Sequence, residues 1–433
     1  MNISILSVFP QLYQPFLQTS LVKRAQDQKL VQFTLADFFS FVSPKERIDA
    51  PTFGHGAGML IKPEVVQKAI ESQEAAQGKA YKIFFSPHGK KLDQKLLQKI
   101  AQHAQKTNHL MLVAGRYEGM DARVEEYYAD EIISVGDFVL MGGDLPAMIL
   151  LEGLLRLVPG VVGKSESVSA DSFVGPFVDY PEYTMPVVWQ DKQVPEVIRS
   201  GDHAAIKKWH MQQAIKRTLE SHFEWLRSSP LSDAQKQLIL EATPAHYVVL
   251  MHNEVIVADG DRVGTTSVTS LDMHDIARSA NTYGIKNYFI VTPLLDQQKI
   301  VRKLLDFWQI GEGVEYNASR HEAVKRVELV SSLDEAILRI EQKEGVKPLL
   351  VATSAREVSH TNEITFYDQG KVWQQKRPVL MVFGTGKGLA PQLLERCDYL
   401  LAPVQGLNSY NHLSVRSAVA IVLDRWLGLN VKK

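Results

Sequence analysis

The stretch ISVGDFVLMGGDLPAM, residues 133–148, combines glycines and an acid that could bind a small molecule. Gly136, Gly142 and Gly143 let a flat ligand approach the backbone closely, and strand-end N–H and C=O groups can hydrogen-bond a purine edge. Asp144 lies where a helix starts, so its carboxylate could cap free N–H groups but would repel a phosphate. The residues favour a neutral or cationic ligand, such as an adenine-bearing cofactor with a positive centre. Glycine turns beside a buried strand explain the pattern equally well.

Two common phosphate-binding motifs are missing where they would be expected. The first strand-like run, in LSVFPQLYQPF, is not followed by the G-x-G-x-x-G of dinucleotide-binding folds. The segment GTGKGL around Lys387 lacks the first glycine and the hydroxyl of a phosphate-binding loop. The sequence therefore argues against both classes of nucleotide-binding protein.

The elements that must position these residues alternate between strands and helices. The runs MNISILSVF, KIFFSP, HLMLVAG and EIISVG are strand-like and are separated by helical patterns, which predicts an α/β fold with a parallel sheet. Residues 164–186 are rich in Ser, Pro, Gly and acids and predict a long mobile loop, and residues 194–243 predict a small helical domain. The strand and helix alternation restarts at Ala245 and ends, as the first half does, in two glycine-bearing loops and an apolar helix. We therefore predict three domains, at 1–163, 164–243 and 244–433, with the first and last of one architecture.

Composition narrows the location and the class of partner. The single cysteine, Cys397, cannot form an intrachain disulfide, so a reducing compartment such as the cytoplasm is expected, and it is interpreted as a small core residue. Asp144, Glu152 and Arg156 interrupt the most apolar region, and no secretory signal begins the chain, so no membrane segment is predicted. The net charge of −1 argues against a uniformly basic nucleic-acid coat but permits a local basic face.

Five segments, in order, resemble one known family. They are GRYEGMDARV from Gly115, SVGDFVLMGGDLPAM from Ser134, RLVPGVVG from Arg156, DSF from Asp171 and GDHAAIKKW from Gly201. Together they resemble the bacterial tRNA (guanine-N1)-methyltransferase family, which modifies guanosine 37 beside the anticodon, over residues 1 to about 243. The resemblance implies a SPOUT fold with a trefoil knot, S-adenosylmethionine bent in the knotted loops, and a homodimer whose pockets are completed across subunits.

The resemblance also implies which residues form the cofactor pocket. Glu118 in RYEG could alternatively be a helix-capping or ion-paired acid, whereas the family pattern places it on the ligand side. The pocket residues implied are Gly115, Glu118, Ser134, Val135, Gly136, Asp137, Phe138, Val139, Leu140, Gly142, Gly143 and Pro146.

The resemblance assigns the chemistry to two residues. Asp171 matches the family's catalytic acid, which implies a general base that removes the N1 proton of guanine, and Arg156 would stabilise the charge that develops on O6. Taken singly, they could be a loop aspartate in a turn and an arginine whose stem covers an apolar helix. The family also implies a loosely held Mg²⁺. The residues predict no metal site, because no histidine has a partner four residues away and there is no cysteine cluster.

A basic segment could contact the anticodon stem-loop of tRNA. Lys207, Lys208, Lys216 and Arg217 fall at spacings that can share a helix face, and GDHAAI, which includes His203, resembles the family's RNA-contacting linker. A short basic helix is also typical of an ordinary solvated surface.

The last part of the chain resembles other SPOUT methyltransferases. The motifs FGTGKGL from Phe383 and NSYNHLSVRSAVAI from Asn408 imply a second cofactor pocket near Gly384, Gly386, Gly388 and Leu407. No pair matching Asp171 and Arg156 is evident there, so a second RNA methyltransferase, an RNA-binding module and a dimerisation module all stay open. For the whole chain, methylation of a ribosomal RNA ribose and non-catalytic RNA binding are the alternatives, as is pairing of the two SPOUT domains within one chain.

Overall fold

Apolar runs of Ile, Leu, Val and Met form the strands of two parallel sheets. The computed structural model describes residues 1–54, 56–162, 171–258, 262–356, 358–359 and 361–429. The first sheet lies in a unit formed by Met1–Val174 and the second in a unit formed by Gly175–Lys433. The predicted boundary at 163/164, and the first part of the predicted mobile loop, lie outside the described residues.

The first unit contains a five-stranded, all-parallel sheet in the order β2-β1-β6-β5-β7. Its buried strands pack against helices on both faces, and a two-stranded antiparallel hairpin, β3 and β4, lies beside it. The strands are β1 Asn2–Ser7, β2 Gln32–Asp37, β3 Asp49–Pro51, β4 Met59–Ile61, β5 Tyr81–Lys91, β6 His109–Val113 and β7 Glu131–Ser134. The helices are α1 Tyr13–Leu17, α2 Ser20–Asp27, α3 Pro63–Gln77, α4 Gln94–Thr107, α5 Ala122–Tyr128 and α6 Asp144–Arg156.

The second unit begins with a short hairpin and four helices and continues into a seven-stranded, all-parallel sheet in the order β14-β13-β10-β17-β15-β18-β16. Its strands are β8 Val188–Trp189, β9 Lys192–Gln193, β10 His246–Met251, β11 Val255–Ile256, β12 Val263–Gly264, β13 Tyr288–Val291, β14 Val327–Val330, β15 Leu349–Thr353, β16 Glu363–Ile364, β17 Val379–Gly384 and β18 Tyr399–Leu401. Its helices are α7 Glu196–Arg199, α8 His203–Ser221, α9 Phe223–Arg227, α10 Asp233–Ala242, α11 Ser270–Thr282, α12 Leu295–Gln309, α13 Gly313–Tyr316, α14 Ala318–Val324, α15 Leu333–Glu344, α16 Gln369–Trp373, α17 Pro391–Glu395 and α18 Val415–Leu427.

The two sheets share a strand order. The second sheet has an additional strand at each edge, β14 and β16. Its five inner strands run β13-β10-β17-β15-β18, which repeats β2-β1-β6-β5-β7 strand for strand. The equivalent of β6 is β17, and the equivalent of β7 is β18. The α/β class and the parallel sheets predicted from the sequence are confirmed, and the strand order agrees with two domains of one architecture. The trefoil knot stays a prediction.

The helices α8–α10 share a core with the second sheet. Leu219 and Phe223 belong to the same buried cluster as Trp373 and Trp426, and the ring of Phe223 meets that of Trp373 edge-on at 5.0 Å. The guanidinium of Arg227 donates to the carbonyl oxygens of Arg425 at 3.1 Å and Asp424 at 3.2 Å. The separation into domains at 164–243 and 244–433 therefore stays a prediction, because these helices and the sheet form one unit.

His246 lies at the centre of this shared core. Its Nδ1 contacts the carbonyl oxygen of Pro244 at 2.6 Å, and its Nε2 accepts hydrogen bonds from the indoles of Trp373 and Trp426, both at 3.1 Å. Burial lowers the pKa of His246 to about 4, so the imidazole is neutral at physiological pH. No helix in the described ranges is long and apolar enough to cross a membrane.

Candidate active site

A cavity of about 430 Å³ opens where β5, β6 and β7 end. Eleven of the twelve residues predicted for the cofactor pocket line it: Gly115, Glu118, Ser134, Val135, Gly136, Phe138, Val139, Leu140, Gly142, Gly143 and Pro146. Asp137 does not, because its exposed carboxylate pairs with Lys91 at 2.8 Å. Ligand crevices of parallel α/β sheets lie at these carboxyl ends, so the location agrees with a binding site.

Glycines bring two backbone segments together at the floor of this cavity. The amide of Gly143 donates to the carbonyl oxygen of Gly115 at 2.8 Å. A Cβ on Gly143 would lie 3.0 Å from Ala114 Cα, and one on Gly142 would lie 2.5 Å from Arg116 Cδ. A larger side chain at either glycine would therefore displace one wall of the cavity.

The loop after β6 is held in a strained shape that presents Glu118. Tyr117 has φ of +61°, a left-handed conformation that is uncommon outside glycine. The amide of Glu118 donates to Met59 O at 3.0 Å, and the amide of Ile61 donates to Gly119 O at 3.1 Å. These bonds to β4 fix the strained residue and place Glu118 on the cavity wall.

Asp144 does not cap its helix with its side chain, so this expectation was wrong. Its fully buried carboxylate accepts hydrogen bonds from Arg116 Nε at 2.6 Å, Ser7 Oγ at 2.5 Å and Tyr13 OH at 3.0 Å. Burial and the neighbouring carboxylate raise the pKa of Tyr13 far above its usual value, so it stays a donor. The network ties the start of α6 to β1 and to the loop after β6, and it neutralises Arg116.

Arg156 and Asp171 are brought together as a two-bond ion pair. Arg156 Nε donates to Asp171 Oδ2 at 2.5 Å, and Nη2 donates to Oδ1 at 2.8 Å. Both side chains are partly exposed, so a substrate can reach the pair. Phe173, two residues on, has φ of +67°, a second strained residue next to a predicted functional group.

The residues of this cavity wall that were not selected from the sequence include three ionisable or polar side chains of β5 and α5. Ser86 and His88 come from β5, and Glu125 comes from α5. The glycine in SPHG, inside a strand-like run, could have indicated Ser86 and His88, because an isolated glycine in a strand often marks a bulge. No local pattern could link Glu125 to this segment.

The basic residues of α8 do not share one face, so that expectation was wrong. Lys216 comes nine residues after Lys207, a distance of two and a half helical turns. The two side chains therefore lie on opposite sides of the helix. Lys216 lies near Glu220, at 4.0 Å, and Arg217 donates to the carbonyl oxygen of Asp179 at 3.2 Å. Lys207, Lys208 and His203 are exposed in the first half of the helix.

Rings of the preceding segment pack on this half of α8. Tyr180 stacks on His210 with ring centroids 3.6 Å apart, and Tyr183 lies 6.2 Å from Trp209. Aromatic rings beside exposed lysines suit RNA, because bases stack and phosphates pair. The predicted RNA contacts stay predictions.

A second cavity, of about 850 Å³, opens at the equivalent strand ends of the second unit, after β15, β17 and β18. Gly384, Gly386 and Gly388 line it, as predicted from their motif, whereas Leu407 is exposed and lies outside it. A Cβ on Gly384 would lie 2.8 Å from the amide nitrogen of Leu389, so this glycine permits a tight loop.

The second cavity is lined by two basic side chains, a histidine and a paired acid. Arg356, Lys387 and His412 line it together with Asp272. The Asp272 carboxylate accepts a hydrogen bond from Thr269 Oγ1 at 2.6 Å and lies 3.6 Å from Arg416 Nε. Behind the wall, His252 Nδ1 contacts Thr266 Oγ1 at 3.1 Å, and burial lowers the pKa of His252 to about 4.

Metal binding gains no support from the side chains. Within the described ranges, no cluster of three or more His, Cys, Asp or Glu could hold a metal ion. The Mg²⁺ implied by the family resemblance stays a prediction.

Comparison with known proteins gives matches on both halves of the chain. Residues 1–228 match the family described as tRNA (Guanine-1)-methyltransferase TrmD, and residues 245–428 match the family described as SAM-dependent RNA methyltransferase. A tRNA (guanine-N(1)-)-methyltransferase of Oleidesulfovibrio alaskensis is 37% identical over 99% of both chains, and one of Nitratidesulfovibrio vulgaris is 36% identical over 99% of both. A protein of the same name from Thermus thermophilus is 40% identical over 56% of this chain and 98% of its own.

Proposed function

Because this chain belongs to the tRNA (guanine-1)-methyltransferase family, we propose that its first unit methylates N1 of guanosine 37 in tRNA, in the cytoplasm. The observation that carries the proposal is the Arg156–Asp171 pair, a carboxylate and a cation held together in the unit that contains the glycine-lined cavity. The alternative of ribose methylation is less well supported, because a carboxylate suits removal of a base N1 proton.

The first cavity fits S-adenosylmethionine in size and in charge. Its glycines leave room for a flat adenine against the backbone, and Glu118 supplies a carboxylate for a cationic ligand. When bound, this cofactor supplies a methyl group on a positively charged sulfur, which is electrophilic. The protein must therefore position the guanine and remove its N1 proton.

Asp171 and Arg156 divide this task. As the N1 proton leaves, negative charge grows on O6, and Arg156 can exchange a hydrogen bond to Asp171 for one to O6. The exchange releases a carboxylate oxygen of Asp171 to accept the proton. The pair seen here is thus interpreted as the resting state of the base, in which the arginine occupies both carboxylate oxygens.

A second copy of the chain is proposed to cover an apolar patch beside the cavity. Val139 is 89% exposed, and Phe138, Met141, Leu145 and Ile149 are also exposed. Leu145 and Ile149 lie one turn apart on α6, so they form a continuous surface with the loop. Exposed apolar groups in this number are typical of an interface, which supports the homodimer.

For the second unit we propose S-adenosylmethionine binding in the larger cavity and methylation of an RNA. The family match of residues 245–428 and the equivalent position of the cavity support this assignment. A non-catalytic RNA-binding or dimerisation module is the second candidate, because Asp272 lacks the two-bond arginine pair that Asp171 makes with Arg156.

The first unit is tested with S-adenosylmethionine and an unmodified tRNA transcript carrying guanosines at positions 36 and 37. Reverse transcription should stop at position 37 with the wild-type protein. Asp171→Asn should lower the rate about a thousandfold, the usual contribution of a positioned general base. Asp27→Asn, an exposed acid at the end of α2, is the matched control and should keep full activity. A wild-type protein that leaves position 37 unmodified, or an Asp171→Asn protein of normal rate, contradicts the proposal.

A further inference from the structure

A bulge in β5 directs three side chains into the first cavity. Phe85 and Lys90 both face Ile133 of β7, so the four residues between them are looped out of the sheet. A Cβ on Gly89 would lie 2.6 Å from the amide nitrogen of Ile133, which explains the glycine at this close crossing. Ser86, Pro87 and His88 therefore line the cavity. Bulges commonly re-aim side chains next to functional sites.

The looped-out segment forms a chain of polar groups with α5. Ser86 Oγ lies 2.6 Å from His88 Nδ1, and His88 Nε2 lies 3.5 Å from Glu125 Oε2. The side chain of Glu125 is 17% exposed and that of His88 is 65% exposed. Burial raises the pKa of Glu125, and His88 acts in the opposite direction. Glu125 is therefore a poorly solvated carboxylate with an exposed imidazole beside it.

The charge of the cavity wall depends on this pair. Arg116, the cation of the wall, is already paired with the buried Asp144, so Glu118 and Glu125 carry the remaining formal charge. With a neutral imidazole, Glu125 adds a negative charge that attracts a cation.

We propose that Glu125, held beside His88 by the bulge in β5, gives the cavity a charge-selective wall that favours the cationic sulfonium cofactor over its neutral thioether product. The inference rests on the cofactor proposed for the first cavity. It gives the chain a means to release S-adenosylhomocysteine more readily than S-adenosylmethionine, because the product lacks the charge that the wall attracts.

The other titratable groups near His88 and Glu125 either form ion pairs with other residues or belong to the cavity wall. Lys90 of β5 pairs with Glu131 of β7, and Lys91 pairs with Asp137. The other titratable groups on the cavity wall are Arg116, Tyr117 and Glu118. None of these ion pairs includes His88 or Glu125.

Calorimetric titration of the full chain with S-adenosylmethionine and S-adenosylhomocysteine tests the proposal. The same titrations of the Gly143→Val protein identify the heat due to the second cavity. At pH 8, Glu125→Gln should weaken binding of S-adenosylmethionine about fivefold and that of S-adenosylhomocysteine less than about twofold, as expected for one partly screened charge.

Glu126→Gln, an exposed acid beside Glu125 on α5 and outside the cavity lining, is the matched control and should change neither affinity. Equal effects of Glu125→Gln on both ligands would overturn the charge-selective wall. If the Gly143→Val protein binds each ligand as the wild-type protein does, the cofactor assignment of the first cavity fails. The inference then fails with it. Selective loss of S-adenosylmethionine binding in Glu125→Gln supports both the cofactor assignment and the charge-selective wall.

Discussion

The two cavities lie at equivalent strand ends but are lined by different ionisable side chains. The first presents Glu118 and Glu125, with Arg116 neutralised by a buried aspartate. The second presents Arg356, Lys387 and His412, together with an aspartate that is paired with Arg416. The shared strand order therefore fixes where a glycine-lined cavity forms, whereas side chains on the loops decide what it attracts. A shared scaffold therefore does not require a shared ligand.

The largest expected effect separates the two cavities as binding sites. Gly143→Val should lower the affinity of the first cavity for S-adenosylmethionine by at least about a hundredfold, and Gly384→Val should do the same at the second, because each Cβ meets backbone atoms. Titration of the wild-type chain should show two binding events, and each variant should show one. Gly175→Ala, where a Cβ meets nothing within 4 Å, should keep both events. Loss of both events in either single variant would contradict independent sites.

A second contrast is the response of the two units to acid. His246 and His252 of the second unit are buried with pKa values lowered to about 4. The unfolded chain takes up these protons near pH 6.5, so stability is complete above that pH and is lost as the pH falls toward 4. At pH 5 each histidine should lower the free energy of unfolding of this unit by roughly 2 kcal/mol.

Tryptophan fluorescence measures this loss in one unit, because all six tryptophans lie after residue 175. Urea unfolding at pH 7.5 and pH 5 should show the midpoint of the fluorescence transition moving to lower urea. His203→Gln, at the exposed start of α8, is the control and should shift the midpoint as the wild type does. An unchanged midpoint at pH 5 would show that these histidines are not buried as neutral groups.

The smallest expected effect concerns the RNA contacts proposed for the start of α8. Replacing Lys207 and Lys208 by Ala together should raise the KM for tRNA about fivefold, leave kcat unchanged and reduce the dependence of binding on salt. Lys216→Ala should have little effect, because this lysine lies on the side of α8 opposite Lys207 and near Glu220. A Lys216→Ala protein as impaired as the double variant would show that RNA contacts that other side.

Local patterns in the sequence predicted the parallel sheets and three glycines of the first cavity, and the family resemblance implied the other predicted residues of its lining. Glycines next to strand ends are visible one segment at a time, which is why Gly136, Gly142 and Gly143 were identified. The partners of Asp144 were not, because Ser7, Tyr13 and Arg116 reach it from distant segments. Only the folded chain brings such buried polar groups together.

The same limit applies to the residues that sequence patterns misplaced or missed. Leu407 follows a glycine motif, yet its side chain is in solvent. His88 and Glu125 meet only because β5 bulges beside α5. The spacing of Lys207 and Lys216 suggested a common face, but nine residues of regular helix place them apart.

The core shared by α8–α10 and the second sheet limits how this protein can be shortened. The two family matches meet between residues 228 and 245, and that interval lies inside this core. A chain ending at residue 243 would leave Leu219, Phe223 and Leu226 without the tryptophans that cover them. Such a fragment would expose an apolar surface that chaperones and proteases recognise. Truncation of the gene at this junction would therefore yield aggregates rather than a smaller enzyme that folds by itself.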